Sequence, residues 1–223
     1  MSETLRSARK GDGAFIVVEG IDGSGSTTIV DRLVGSMKAQ HRATYRTCEP
    51  STGPVGGLIR QILSHRVVLP NHDSPGWATM ALLFAADRLD HLEAEVLPRL
   101  REGVTVVSDR YDLSSLAYQS ATAPPTGAGE TQDVVAWIRA LNRVARRPDL
   151  TLVLDVSPAV AATRRALRGG TKELYEDLNL QSRLAQAYAS AEKLVPGDRV
   201  VHIDGNQSID VVLATAIAAV EAL

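Results

Sequence analysis

The sequence predicts an α/β fold in which a parallel five-stranded sheet is flanked by helices on both faces. Short apolar segments rich in β-branched residues alternate with longer segments whose apolar residues recur every three or four positions. The first pattern is typical of buried parallel strands and the second of amphipathic helices. Such alternation favours a parallel sheet covered on both sides. No repeat or linker divides the chain, so we expect one domain, 14–223, after a flexible leader, 1–13.

The predicted strands are identified by their apolar, β-branched residues. The first, Ala14–Glu19, is followed directly by a glycine. The others, in chain order, are Ala43–Thr47, Val104–Val107, Leu150–Leu154 and Arg199–Ile203. Ligands of parallel sheets bind at the carboxyl ends of the strands. The residues that follow these segments are therefore the first candidates for a functional site.

The predicted helices are identified by apolar residues at helical spacing. Ile29, Leu33 and Met37 recur every four residues in a helix that runs to about residue 40. Ser157 and Pro158 suit a helix start, and that helix breaks at 168–170. The remaining predicted elements are the helices Val55–Leu63, Ser74–Leu100, Thr131–Arg146 and Lys172–Val195, a Pro- and Gly-rich loop at Ala121–Glu130, and a closing helix that carries Ile209, Leu213, Ile217 and Val220.

Composition excludes several classes of protein. Hydrophobic residues make up 44% of the 223 residues and charged residues 22%, which excludes a mainly disordered chain. The formal net charge of -2 argues against a strongly basic surface, so we expect neither nucleic acid nor a membrane as partner. No apolar stretch approaches the roughly 20 residues that a membrane span needs. A single cysteine, Cys48, fits a reducing compartment, and we expect a cytoplasmic protein.

A glycine-rich loop lies between the first predicted strand and the first predicted helix. Its spacing is that of the phosphate-binding P-loop. Glycines allow several backbone N–H groups to converge on one phosphate, and the helix N-terminus adds positive potential. Thr27 stands where a hydroxyl that binds Mg²⁺ is expected, although a tight turn without a ligand is the alternative for the loop. The residues predicted to bind ATP are Gly20, Ile21, Asp22, Gly23, Ser24, Gly25, Ser26, Thr27 and Thr28.

The lysine of the P-loop pattern is absent, because Ser26 occupies its position. Loss of one preorganised donor to a developing anion costs about 3–4 kcal/mol. Either the reaction is slow or another cation substitutes. The candidate cations are Arg164, Arg165, Arg168 and Lys172, in a lid around 164–173. We favour Lys172 or Arg168 closing over the phosphates, and a solvated helix end is the alternative for the arginines.

Two pairs of residues indicate a second site. Asp109 and Arg110 follow the third predicted strand, where an acid and a base suit Mg²⁺ and a second phosphate; a surface ion pair is the alternative. Phe84 and Arg88 share one helix face and together are able to stack on a flat base and hydrogen-bond to it. From spacing alone, a core phenylalanine and a surface arginine are the more ordinary interpretation. The histidines show no metal-ligand spacing, so no protein-only metal site is expected.

Together these segments resemble thymidylate kinase, a family of P-loop nucleoside monophosphate kinases. The resemblance covers nearly the whole chain and rests on FIVVEGIDGSGSTT, CEPSTGPVGGLIRQIL, LLFAADR, SDRYDLSSLAYQ, RPDLTLVLDVSP and the arginine-rich stretch before ELYED. It implies the P-loop NTPase fold of nucleoside monophosphate kinases, transfer of the γ-phosphoryl group of ATP to dTMP, and Mg²⁺ as cofactor. It also implies a homodimer formed through the long helices.

The resemblance further implies roles for individual residues. Phe84 would stack on thymine, Arg88 would bind the O4 edge of the base, and Arg110 would hold the phosphate of dTMP. Tyr118 would crowd the 2′ position and so disfavour ribonucleotides. The metal ligands would be Thr27 and Asp109. The residues implied in dTMP binding are Asp22, Glu49, Pro50, Phe84, Arg88, Arg110, Ser115, Tyr118, Gln119, Tyr175 and Glu176, and those implied in catalysis are Asp22, Arg110, Arg164, Arg165, Arg168 and Lys172.

Two departures from the family pattern bear on activity. Ser26 replaces the lysine, and Cys48 stands where many members have an arginine before Glu-Pro. The first departure concerns the rate and the phosphate donor, and the second removes one contact near the phosphate. We expect a dTMP kinase in which a lid cation compensates for the missing lysine. The alternatives are a nucleotide-binding protein with weakened catalysis and a kinase for another deoxynucleotide.

Overall fold

The computed structural model describes residues 11–124, 130–168, 174–175 and 177–223, with the backbone alone for 130–133 and 168. The strands are β1 (Phe15–Glu19), β2 (Thr44–Cys48), β3 (Thr105–Asp109), β4 (Leu150–Asp155) and β5 (Val200–Asp204). The helices are α1 (Ser26–Ala39), α2 (Pro54–Leu63), α3 (Trp77–His91), a π-helical segment (Leu92–Val96), α4 (Leu97–Arg101), α5 (Asp112–Thr122), α6 (Glu130–Leu141), α7 (Pro158–Arg168), α8 (Leu178–Tyr188), α9 (Ala191–Leu194) and α10 (Ile209–Glu221).

The five strands form one sheet in the order β2-β3-β1-β4-β5, and all neighbouring strands are parallel. The predicted fold class is thereby confirmed. Strand β1 lies in the centre and is buried along its whole length. Ile16 and Val18 pack on one face of the sheet with residues of α1 and α10. Phe15 and Val17 pack on the other face with the π-helical segment and α4, so helices cover both sides.

Several element boundaries differ from the sequence prediction for local physical reasons. The predicted long helix over 74–100 is divided by the π-helical segment, which ends just before Pro98 near the start of α4. Proline has no N–H for the carbonyl group four residues earlier, and the helical hydrogen-bond ladder is disturbed there. The predicted helix over 172–195 is replaced in the described residues by α8 and α9. The Asp177 carboxylate accepts the N–H of Leu180 at 2.9 Å and so caps the start of α8.

The parallel arrangement brings the carboxyl ends of the strands to one edge of the sheet. In the register of β1 and β3, Val18 lies opposite Asp109, and in that of β2 and β3 Cys48 lies opposite Asp109. The loops that follow β1, β2 and β3 therefore meet at this edge. Within the described residues, no helix is both long and apolar enough to cross a bilayer.

The loop after β2 is held against helix α3 by a buried carboxylate. Asp87 accepts hydrogen bonds from the Ser51 backbone N–H at 2.7 Å and from the Ser51 hydroxyl at 2.6 Å. Helix α2 packs directly on this loop through Gly56, where a Cβ atom would lie 2.1 Å from the Ser51 carbonyl oxygen. At the next residue, Gly57, a Cβ atom would meet nothing within 4 Å.

We predict opposite effects for alanine at these two adjacent glycines. Gly57→Ala should raise the free energy of unfolding by about 0.5–1 kcal/mol, because alanine is the better helix former. Gly56→Ala should lower it by about 1–3 kcal/mol, because the added methyl group overlaps backbone atoms. Denaturant unfolding of both variants measures the difference, and equal changes would contradict the packing described for α2.

Candidate active site

A cavity of about 630 Å³ opens where β1 passes through the glycine-rich loop into α1. Gly23 and Gly25 have φ values of 87° and 95°, which favour glycine. A Cβ atom on Gly23 would also lie 2.4 Å from the Ala161 carbonyl oxygen. The predicted residues Asp22, Gly23, Ser24, Gly25, Ser26, Thr27 and Thr28 all line this cavity. Gly20 and Ile21 precede it: Gly20 packs on Ser24, and Ile21 is buried in the core.

Three arginines from outside the loop line the same cavity: Arg110, Arg164 and Arg165. On α7, Arg164 donates through Nη1 to the Ser24 carbonyl oxygen at 3.0 Å and through Nη2 to the Gly205 carbonyl oxygen at 2.9 Å. Arg165 donates through Nη1 to the Asp22 carbonyl oxygen. Helix α7 therefore places two positive charges against the loop that lacks its lysine. The Arg168 side chain, Lys172 and Glu176 lie outside what the structure describes.

The far wall of this cavity consists of residues that the sequence analysis did not select. They are Gly205, Gln207, Ile209 and Val212, from the turn after β5 and from α10. Their only signal in the sequence was their position after the carboxyl end of a predicted parallel strand.

Asp109 and Thr27 contact each other beside the loop, and one oxygen of Asp109 is available to bind a ligand. Thr27 Oγ1 donates to Asp109 Oδ2 at 2.5 Å. Asp109 Oδ1 is buried and has no hydrogen-bond partner among the described residues. Mg²⁺ prefers one or two protein oxygen ligands together with phosphate oxygens and waters. These two residues fit that ion, and the described residues contain no group of three or more metal-binding side chains.

A second cavity of about 130 Å³ adjoins the first and contains the predicted dTMP-binding residues. Of these, Asp22, Glu49, Pro50, Phe84, Arg88, Arg110, Ser115, Tyr118, Gln119 and Tyr175 all line it, although they come from five separate parts of the chain. The structure thus brings together all the described residues of that prediction, and Glu176 lies outside the described residues. Ser114 completes the lining together with Leu63 and Tyr111, and the last two were missed.

Arg88 is the buried member of the Phe84–Arg88 pair. Its side chain is 1% exposed, whereas Phe84 is partly exposed in the cavity wall, the reverse of a core phenylalanine and a surface arginine. Arg88 Nη1 donates to Asn142 Oδ1 at 2.5 Å, and Nη2 donates to Glu49 Oε2 at 2.7 Å. Arg88 Nε has no partner among the described residues. A buried, unsatisfied donor beside a cavity and a partly exposed aromatic ring is suited to a planar polar ligand.

Arg110 joins the two cavities, since it lines both, as does Asp22. Arg110 Nη2 donates to Asp22 Oδ1 at 2.6 Å, and Nη1 donates to Ser114 Oγ at 3.1 Å. The backbone of Arg110 has a φ value of 76°, which is uncommon for a residue with a side chain. Its N–H donates to the Val18 carbonyl oxygen at 2.9 Å. The guanidinium group is therefore held between the larger cavity and the smaller one.

Glu19, at the end of β1, is a buried carboxylate that the sequence analysis did not select. It is 0% exposed and accepts hydrogen bonds from the Tyr111 N–H at 2.8 Å and the Ser114 hydroxyl at 2.6 Å. Burial raises the pKa of Glu19 to about 7, although the nearby positive charge of Arg110 lowers it. In the sequence this residue only closes an apolar segment, so no local pattern distinguished it.

The raised pKa of Glu19 predicts a pH dependence of stability. The native chain retains a proton that the unfolded chain loses, so the free energy of unfolding falls as the pH rises from about 4.5 to about 7. The Glu19 contribution is at most about 3–4 kcal/mol. Denaturant unfolding at pH 5 and pH 8 should show a smaller decrease for Glu19→Gln than for the parent chain. Equal decreases would mean that Glu19 does not titrate in this range.

Comparisons with known proteins identify one family. The model of the thymidylate kinase family matches residues 18–216. A probable thymidylate kinase of Pyrobaculum aerophilum is 42% identical over 176 residues, which are 78% of this chain and 81% of the relative. The thymidylate kinase of Bifidobacterium longum strain NCC 2705 is 38% identical over 203 residues, 91% and 95% of the two chains. That of Dinoroseobacter shibae is 36% identical over 208 residues, 92% and 95%. The chain therefore belongs to the thymidylate kinase family.

Proposed function

We propose that this chain transfers the γ-phosphoryl group of ATP to dTMP, with Ser26 in place of the usual lysine and with arginines of α7 supplying the missing charge. Family membership makes the chain a phosphotransferase that acts on dTMP. The observation that supports the full reaction is the meeting of two cavities at one ion pair, Asp22–Arg110. A phosphate donor in the larger cavity and a monophosphate in the smaller one would face each other across that pair.

The smaller cavity supplies the recognition that a thymine nucleotide needs. Phe84 presents a partly exposed ring for stacking, and the unpaired Arg88 Nε offers a donor to a carbonyl oxygen of the base. Gln119 Oε1 is buried without a hydrogen-bond partner among the described residues and offers an acceptor. Burial raises the pKa of Tyr118, so its phenol stays neutral beside the site proposed for the sugar. A base with both a carbonyl group and an N–H group fits this set.

The reaction requires positioning and neutralisation of charge, since the acceptor phosphate is itself the nucleophile. Arg110 would hold the acceptor phosphate, and its bond to Asp22 would fix the guanidinium against the donor loop. The backbone N–H groups of the glycine-rich loop would bind the donor phosphates. Thr27 and Asp109 would hold Mg²⁺, which neutralises phosphate charge when bound. No covalent intermediate with the protein is needed, and a lid over 164–173 would exclude water.

The charge that Ser26 does not supply has a candidate source on α7. Arg164 already uses both terminal nitrogens on backbone carbonyl oxygens, and Arg110 is bound to Asp22. Arg165 donates to the Asp22 carbonyl oxygen of the loop through one terminal nitrogen. Its other terminal nitrogen and its Nε have no hydrogen-bond partner among the described residues. Arg165 is therefore the described cation best placed to contact donor phosphates. Lys172 and Arg168, which the sequence analysis favours, are further candidates.

A coupled assay of ADP release with a panel of nucleotides tests the proposed function. We expect turnover with dTMP and ATP, and at least 10-fold lower kcat/KM with the ribonucleotide of thymine and with dCMP. A preference for another deoxynucleotide would indicate a different acceptor. Binding of dTMP without turnover would support the alternative of a nucleotide-binding protein with weakened catalysis.

Stacking on Phe84 predicts a selective defect. Phe84→Ala should lower kcat/KM for dTMP by about 10- to 100-fold, since stacking on an aromatic ring contributes about 1–3 kcal/mol per base. The KM for ATP, which binds in the other cavity, provides the internal control and should change less than twofold. A similar loss for both substrates would show a general effect on folding instead of base recognition.

The proposed compensation by Arg165 is tested by removing its positive charge, with and without a lysine restored at position 26. Arg165→Ala should lower kcat by about 10²-fold or more, as expected for loss of one preorganised donor. In a Ser26→Lys background the same substitution should cost less than 10-fold, because the lysine restores the charge. Arg183→Ala, which removes an exposed arginine from α8, is the matched control and should leave kcat unchanged. Equal losses in both backgrounds would contradict the compensation.

We also propose that the chain forms a homodimer through α2, α3 and α6. These neighbouring helices expose Leu58, Leu82 and Trp137, which are 40%, 52% and 36% exposed. Trp137 also packs edge-to-face on Trp77, with ring centroids 5.5 Å apart. Burial of such side chains between two copies is favourable. Light scattering should give a dimer, and Leu82→Glu should shift it towards the monomer.

A further inference from the structure

Glu19 is a buried carboxylate that the proposed phosphoryl transfer does not use. Its two oxygens face different kinds of donor. Oε1 accepts the backbone N–H groups of Tyr111 at 2.8 Å and Ser114 at 3.2 Å. Oε2 contacts two hydroxyl groups, Ser114 Oγ at 2.6 Å and Tyr188 OH at 3.1 Å. Every group around the carboxylate is thus a hydrogen-bond donor when Glu19 is ionised.

The position of a proton on Glu19 follows from these contacts. A backbone N–H donates and never accepts, so a proton on Oε1 would have no acceptor. A hydroxyl group both donates and accepts, so a proton on Oε2 is able to donate to Ser114 Oγ or to Tyr188 OH. Protonation therefore occurs at Oε2 and reverses the direction of a hydrogen bond to one of these hydroxyl groups.

The same two hydroxyl groups connect Glu19 to Arg110. Arg110 Nη1 donates to Ser114 Oγ at 3.1 Å and to Tyr188 OH at 3.4 Å. Ser114 Oγ and Tyr188 OH are themselves 2.9 Å apart. On the side away from Glu19, Arg110 Nη2 donates a hydrogen bond to Asp22 Oδ1. A continuous set of hydrogen bonds thus runs from the end of β1 to the ion pair that joins the two cavities.

We propose that Glu19 is a positioning residue whose protonation strengthens the binding of the acceptor nucleotide's phosphate group by Arg110. The inference rests on the proposed dTMP site at Arg110. When Glu19 is neutral, Arg110 presents its positive charge to Asp22 and to the ligand alone. When Glu19 is ionised, a second buried carboxylate competes for that charge through Ser114 and Tyr188, and binding of the phosphate weakens.

The charges around Glu19 support this coupling. Among the described residues, the charged and titratable groups that face it are the Arg110 guanidinium and the phenol of Tyr188 from α8, while Tyr111 and Ser114 contribute neutral donors. Asp22 and Tyr118 surround the far side of Arg110. Burial raises the pKa of Glu19 to about 7, and Arg110 lowers it. A phosphate dianion on Arg110 would offset part of that lowering, so Glu19 would gain a proton as dTMP binds.

This linkage fixes the sign of the pH dependence. Because binding takes up a proton, the affinity for dTMP should fall as the pH rises above about 7. The phosphate group of the ligand has its own ionisation near pH 6, which acts in the opposite direction at lower pH. The interval from pH 7 to pH 8.5 therefore isolates the effect of Glu19.

Calorimetric titration of dTMP into the full chain tests the inference, with Glu19→Gln as the matched variant. Glutamine has nearly the same shape as the acid and keeps an acceptor for the two N–H groups and a donor for the two hydroxyl groups. From pH 7 to pH 8.5, the parent Kd should rise several-fold. Titrations at pH 7 in buffers with different ionisation enthalpies should show fractional proton uptake by the parent. For Glu19→Gln the Kd should stay within twofold and the uptake should vanish.

The outcomes separate this inference from the proposed function. If the parent chain binds dTMP and Glu19→Gln shows the parent's pH dependence, the role of Glu19 is refuted while the acceptor site stands. If the parent binds no dTMP at any pH, the proposed function fails as well. Should Glu19→Gln not fold, Tyr188→Phe gives the answer. Because Tyr188→Phe removes a hydrogen bond to Oε2, the rise in Kd should begin at a higher pH than in the parent chain. A rise in Kd at the same pH as in the parent would refute the inference.

Discussion

The arrangement of the candidate site depends on the ion pair between Asp22 and Arg110. The two residues are far apart in the sequence, yet they follow neighbouring strands β1 and β3 of a parallel sheet. The hydrogen bond from Arg110 N–H to the Val18 carbonyl oxygen anchors one loop to the other strand. Because the pair lines both cavities, it sets the distance between the proposed donor and acceptor. A shift of either loop would change the spacing between the proposed donor and acceptor sites.

The source of positive charge distinguishes this chain from the usual P-loop pattern. A lysine at position 26 would belong to the loop itself, whereas Arg164 and Arg165 belong to α7, a separate element that packs on the loop. In the proposed arrangement, neutralisation of the donor phosphates requires α7 to be in place. Arginine also offers several N–H groups in a rigid plane, which suits phosphate oxygens better than a single ammonium group does.

The sequence predicted the fold class and indicated several residues that line the two cavities, because those signals are local. The glycine spacing at 20–28 and the pair Asp109–Arg110 each stand directly after a predicted strand. Burial was not predictable in the same way. Arg88 is buried because Glu49 and Asn142, 39 and 54 residues away, supply its partners. The pattern of apolar residues within helix α3 does not predict contacts with residues so distant in the sequence.

The helix boundaries that were placed wrongly have local causes, whereas the residues that were missed depend on tertiary contacts. The start of α8 depends on one capping carboxylate, Asp177, and the division of the long helix depends on Pro98. Glu19 acquires its raised pKa through burial, and one of the residues that surround it, Tyr188, is 169 positions away in the sequence. The wall of the larger cavity at Gly205 is formed by the turn after β5, which is distant in sequence from the glycine-rich loop. The surroundings of Glu19 and the wall at Gly205 therefore depend on tertiary contacts that a linear pattern does not contain.

The most direct measurement is the fate of the transferred phosphoryl group. The full chain is incubated with Mg²⁺, dTMP and ATP labelled at the γ-phosphate, and the products are separated. If the two cavities hold donor and acceptor across the Asp22–Arg110 pair, the label appears in dTDP, and omission of dTMP leaves the ATP intact. Label released as inorganic phosphate at the same rate with and without dTMP would contradict the account.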